Sequence, residues 1–142
     1  RSSISHLLSF YILSSNSYLL LMIKNFLLVG LGGAVGSMLR YAFFHWFKSS
    51  SFPLSTFLVN MIGSFIIGAV FGYAMRNEDF SATWRLFLVA GICGGFTTYS
   101  AFSVEMLTLL QQNRFGTFTI YLLATVVLGL LATWLGYILL KG

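Results

Sequence analysis

The sequence predicts an all-α membrane protein of four transmembrane helices, the third of them broken. Three observations carry that prediction. First, 58% of the 142 residues are apolar and only 8% are charged, with a mean hydropathy of +0.88. A soluble chain carries about 25% charged residues. Second, the apolar residues form long blocks rather than alternating strands. A bilayer core of about 30 Å takes about 20 helical residues to cross, and several blocks are that long. Third, one block contains the run Gly91-Ile92-Cys93-Gly94-Gly95-Phe96-Thr97-Thr98-Tyr99-Ser100-Ala101-Phe102. Its glycines loosen the backbone, and Thr97, Thr98 and Ser100 can bond to carbonyls freed by a local break. Irregular backbone at membrane depth is tolerated only where protein buries it or where it lines a wet cavity or ion site. The same run also reads as a glycine seam for close helix packing.

In chain order, the spans are expected over 26–44, 56–74, 86–110 and 118–140. The stretches between them, 45–55, 75–85 and 111–117, are short and polar, so neighbouring helices must run antiparallel. Trp46, Tyr73, Trp84, Trp134 and Tyr137 fall near the expected helix ends, as interfacial aromatics do. Pro53 is the only proline, so no Pro-rich linker divides the chain, and 22–142 reads as one domain. Residues 1–21 lack an initiator methionine and are apolar but interrupted by polar residues. They are expected to be a non-native or poorly ordered extension, the alternatives being a signal-like segment or a fifth helix.

The net charge of +5 comes from basic residues scattered beside apolar blocks. They are placed to meet lipid headgroups, and nucleic acid is not an expected partner. Lys24, Arg76, Arg85 and Lys141 fall on one side of the membrane, against Lys48, Arg114 and a snorkelling Arg40 on the other. So weak a bias allows insertion in both directions, and two copies can then assemble antiparallel. Small residues four apart occur as Gly32 and Gly36, Gly68 and Gly72, and Gly91 and Gly95. Each pair lies on one helix face, and these faces are expected to join copies of the chain, because four helices alone enclose little volume.

Few residues can carry chemistry. Cys93 is the sole cysteine, which excludes an intrachain disulfide and a Cys-rich metal site. His6 and His45 are too far apart for a metal or catalytic centre, and no nucleophile, base and orienting group come together. An enzyme is therefore not expected. Arg40 reads either as a snorkelling arginine or as a cation that concentrates anions at a pore mouth. Asn60 is the one strongly polar side chain of the second span core, either interhelical glue or a donor to a passing anion. Phe96, Tyr99 and Phe102 recur every three residues and are expected to share a helix face, as packing or as positive ring edges for an anion. Glu105 extends that face as the only acid in any expected span, a proton carrier or a hydrogen-bond partner.

Three motifs now agree in order and spacing with a known family. They are Gly-Gly-x-x-Gly-x-x-x-Arg-Tyr at 32–41, Thr-x-x-Val-Asn-x-x-Gly at 56–63 and Gly-x-x-Gly-Gly-x-Thr-Thr-Tyr-Ser-x-Phe at 91–102. From Met22 onward the chain resembles the Fluc (CrcB-type) fluoride channels. That resemblance implies an antiparallel dual-topology homodimer with two fluoride pores in the cell (inner) membrane. It also implies a structural sodium ion, not transported, held at the subunit interface by main-chain carbonyls of the broken helix. By position those carbonyls belong to Gly94 and Thr97. The implied fluoride pathway comprises Arg40, Asn60, Thr98, Tyr99, Ser100, Phe102 and Glu105, with Tyr121 and Thr125 as a polar track on the fourth helix. The chain departs from the pattern at Tyr99, where the family usually has Phe, and at Ala101, where a hydroxyl residue is common.

The resemblance thus predicts a passive fluoride-selective channel that exports fluoride and lowers its toxicity. One rival is a small dual-topology, proton-coupled exporter of drug-like cations, which needs an accessible acid in the bundle. Exporters of that kind carry it on the first helix, where this chain has Arg40. The other rival is a membrane scaffold that transports nothing.

Overall fold

The computed structural model describes residues 2–47, 51–77 and 79–142, with side chains from Asn16 onward. Arg1, Lys48 and the His6 side chain lie outside the described residues. The elements are helices α1 (Ser2–Trp46) and α2 (Leu54–Arg76), a composite third span, and α6 (Phe115–Lys141). The third span begins with α3 (Ala82–Arg85), widens into a π-helical segment (Leu86–Cys93), closes with α4 (Gly94–Phe96), and resumes as α5 (Tyr99–Gln111). Among the described residues, four helical stretches are long and apolar enough to cross a membrane: Asn16–Trp46, Leu54–Arg76, Ala82–Gln111 and Phe115–Lys141. Helix α1 is continuous from Ser2 to Trp46, so the described residues before Met22 belong to the same helix as the first span.

Local chemistry explains the boundaries. Ser81 caps α3 by accepting the Thr83 N–H at 3.2 Å. Helix α5 ends where Asn113 adopts φ 55°, a left-handed conformation that asparagine tolerates. The Asn113 and Arg114 amides then bond back to the Leu110 and Leu109 carbonyls at 3.0 and 2.9 Å, closing a Schellman motif. Arg114 also donates to the Ser51 carbonyl, which ties the start of α6 to the stretch before α2.

The bundle consists of two glycine-tight pairs. Helix α1 packs on the π-helical segment and α4, and α2 packs on α6. A methyl group on Gly32 would lie 2.9 Å from the Gly91 Cα, and one on Gly95 would lie 2.9 Å from the Gly33 Cα. On α2, Gly68 and Gly72 press against the Thr133 and Tyr137 backbone, and Gly136 presses against Phe65. This corrects the expectation that the glycine faces join copies of the chain. Within each chain they bring together the backbones of alternate spans, the first with the third and the second with the fourth, which no single loop joins. The small buried core centres on Met106, Leu109 and Tyr121, with Phe52, Phe57, Phe102, Phe118 and Leu122 around it. Most large apolar side chains lie on the outside, as a lipid solvent favours.

Candidate functional site

The site grows from the break between α4 and α5. Thr97 (φ −73°, ψ 157°) and Thr98 (φ −150°, ψ 110°) are extended, so the helical ladder stops for two residues. Several of the groups freed by the break find a partner on another element or on a nearby side chain. The Thr97 hydroxyl donates to the Cys93 carbonyl at 2.9 Å, as does its own amide. Asn60 of α2 clamps Thr98 from both sides: its Oδ1 accepts the Thr98 N–H at 2.9 Å and its Nδ2 donates to the Thr98 carbonyl at 3.2 Å. The Thr98 hydroxyl caps α5 by accepting the Ala101 N–H at 3.2 Å, and it lies 3.3 Å from Ser100 Oγ.

The carbonyls of Gly94 and Thr97 are among those that lose their helical donors in this rearrangement. The amide four residues beyond Gly94 belongs to Thr98 and points to Asn60, while the one beyond Thr97 belongs to Ala101 and points to the Thr98 hydroxyl. These are the two oxygens that the family resemblance assigns to sodium, and hard carbonyl oxygens suit that ion. Arg40 donates to the Thr97 carbonyl at 3.3 Å, occupying one of its two lone pairs. Ser37 reaches the Gly95 carbonyl at 3.5 Å. The positions of Arg40 and Asn60 stood out in the sequence, but their backbone partners did not.

Toward the loop ends of α2 and α6 sits a second cluster. Glu105 accepts from the Thr56 hydroxyl at 2.6 Å and from the Tyr121 hydroxyl at 2.7 Å, one donor on each carboxylate oxygen. Thr56 and Tyr121 are fully buried. The Tyr121 ring meets Phe52 and Phe102 with centroids 5.2 and 5.1 Å apart. Thr56 heads the second sequence motif but was given no role there, and Phe52 was not singled out; the spacing of Thr56 four residues before Asn60, on the same face, was the available signal.

Beside the first cluster lies a cavity of about 330 Å³ whose lining includes Asn60, Ser64, Thr98, Tyr99, Phe102 and Thr125 with the apolar Met61, Ile67 and Val126. Thr125 Oγ1 is buried there with no hydrogen-bond partner among the described residues. The expected aromatic face is not continuous. Phe96 is only 5% exposed and stands edge-on to Phe43 at 5.4 Å, whereas Tyr99 is 81% exposed. The break turns α5 relative to α4, so spacing by three no longer means a shared face. Tyr99 and Phe102 remain together, with centroids 6.1 Å apart. Asn60, Thr98, Tyr99, Phe102 and Thr125 thus share one cavity, Glu105 and Tyr121 adjoin it through Phe102, Arg40 holds the break beside it, and Ser100 meets it through Thr98.

The model of the family described as CrcB-like protein, Camphor Resistance (CrcB), matches residues 27–137. The chain belongs to that family. Every site residue named above lies within the matched stretch. The chain is 40% identical over 121 residues to a protein named fluoride-specific ion channel FluC in Azobacteroides pseudotrichonymphae, covering 83% of this chain and 97% of that one. A Flavobacterium psychrophilum protein of the same name is also 40% identical over 121 residues, with 83% and 98% covered. A Thermus thermophilus one is 44% identical over 118 residues, with 81% and 92% covered. The family is one of ion channels rather than enzymes, and this member is a multi-pass membrane protein.

Proposed function

We propose that this chain is a passive, fluoride-selective channel of the cell (inner) membrane that releases cytoplasmic fluoride and so lowers its toxicity. One observation carries the reading: hydrogen-bonding side chains and two aromatic rings line a single cavity among apolar spans. Fluoride is small and strongly hydrated, so it enters a narrow pore only where donors replace its water. Asn60 keeps a second N–H beyond the one given to Thr98, and the Thr125 hydroxyl has no protein partner. The edges of Phe102 and Tyr99 carry positive partial charge. Arg40, beside the break, raises the local anion concentration. Fluoride entering as HF ionises in a more neutral cytoplasm, and a negative-inside potential drives it out without an energy-coupling site. Relatives named fluoride-specific ion channels align over 118–121 residues of this chain.

The same reading includes an antiparallel homodimer with a structural sodium ion on the Gly94 and Thr97 carbonyls. Support for the ion is the loss of helical donors at both oxygens; when bound, it offsets the repulsion of converging carbonyl dipoles. The proton-coupled exporter is disfavoured, because the one acid of the described spans already receives two hydroxyl donors and lies on the third span.

Purified protein in potassium fluoride liposomes tests the proposal. Adding a potassium ionophore should release fluoride, with no proton gradient required. Liposomes that release nothing, or that release only an organic cation against protons, would exclude the channel.

A further inference from the structure

The cavity continues past Asn60. Thr56, Asn60 and Ser64 are four residues apart on α2, as are Tyr121, Thr125 and Gly129 on α6, so each set lines one helix face. The two faces oppose each other in order. Thr56 and Tyr121 meet on Glu105, and Asn60 and Thr125 border the same cavity. Ser64 stands opposite Gly129, where a methyl group would lie 3.9 Å from Ser64 Oγ and 3.4 Å from Met61 Cε.

The hydroxyls of this last stretch behave unlike their neighbours. Ser103, Thr108, Thr119 and Thr133 each donate to the carbonyl four residues back, at 2.8–3.0 Å. That bond is open to any helical serine or threonine. Thr125 does not make it, and its Oγ1 is buried and unpaired. Ser64 borders the same cavity and likewise makes no hydrogen bond among the described residues. Two hydroxyls on facing helices, both bordering one space, therefore forgo the easy local partner. Gly129 places no side chain against Ser64.

We propose that Ser64 and Thr125 form an anion subsite one helical turn beyond Asn60, on the side of the cavity away from Glu105. Both can turn an O–H toward a small anion, and neither must break a protein hydrogen bond to do so. The spacing of about 5.4 Å per turn lets fluoride pass from the Asn60 amide to this pair with donors on hand throughout. Ser64 supplies the donor on α2, where α6 has only hydrogen at Gly129.

The inference rests on the channel reading, and the test separates the two. Wild-type liposomes are measured first; if they release no fluoride, the channel reading falls and this subsite with it. Where wild type conducts, Ser64→Ala should slow fluoride release about tenfold, the order of one lost hydrogen bond. Adding Gly129→Ser to that variant returns a hydroxyl across the same gap and should restore most of the rate. An unchanged rate in Ser64→Ala overturns the subsite while leaving the channel intact. A slowed rate that Gly129→Ser does not restore also overturns it, because packing rather than a hydroxyl would then be what Ser64 provides.

Discussion

At Asn60 two roles meet in one side chain. Its Oδ1 and Nδ2 both bind the Thr98 backbone across 38 residues of sequence, leaving one N–H for the cavity. Asn60→Asp keeps the acceptor for the Thr98 amide. It also sets a carboxylate oxygen against the Thr98 carbonyl and places a negative charge in the anion path. Fluoride release should fall at least about a hundredfold, and stability by about 1–3 kcal/mol, the penalty of an unpaired buried carbonyl. Efflux assays with thermal melting in detergent read both; an Asp variant that conducts like wild type would remove Asn60 from the pathway. Phe102 gives a second test. Phe102→Ile keeps apolar bulk but loses the ring edge and the contact with Tyr121, so conduction should drop at least about tenfold with normal folding. Tyr99→Phe should leave the rate near wild type, because the ring is retained. Equal rates in both variants would make the pair packing alone. These residues were legible as polar or aromatic exceptions in apolar spans. Their partners were not, because the pairing of Arg40 with Thr97 spans 57 residues and depends on helix register.

Among the elements, the four spans and the interruption of the third follow from block length and from the Gly-Gly-x-Thr-Thr run. The π-helical turns over Leu86–Cys93 do not, since a shift in hydrogen-bond partner leaves no mark in an evenly apolar stretch. The glycine pairs were legible as contact faces, but their partner was not, because spacing by four announces close approach without naming the other helix. Gly36 makes this testable. A methyl group there would meet the backbone of the third span, 2.8 Å from the Phe96 amide nitrogen and 3.1 Å from the Gly95 carbonyl carbon. Neither atom can swing aside as a side chain would, so Gly36→Ala should cost about 1–3 kcal/mol and displace the break. Gly30 lies on the same helix with nothing within 4 Å of an added methyl. Gly30→Ala should be neutral, or stabilising by up to about 1 kcal/mol, because alanine restricts the unfolded chain. Melting temperatures of the two variants check this, and equal losses would mean that α1 does not pack as described.

For the whole molecule, the proposed dimer makes a demand that one chain does not. Gly94 has ordinary helical angles (φ −62°, ψ −37°) and is exposed, and an added methyl would lie 3.6 Å from the Val89 carbonyl, an ordinary contact. Nothing inside one chain therefore requires glycine there. If two antiparallel copies bring their breaks together on a two-fold axis, any side chain at this position projects toward the second copy and its mirrored Gly94. The substitution Gly94→Val should then leave each chain folded while separating the copies, since at helical angles valine costs a single chain no more than the glycine it replaces. Subunit counting by photobleaching in lipid vesicles should find mostly two copies for wild type and mostly one for the variant, with helical content unchanged and fluoride release lost. Replacing sodium with a large organic cation should weaken the wild-type dimer in the same assay, because the converging carbonyls would lose the charge between them. A Gly94→Val protein that remains dimeric and conducts at the wild-type rate would place the break away from the axis, and the sodium site with it.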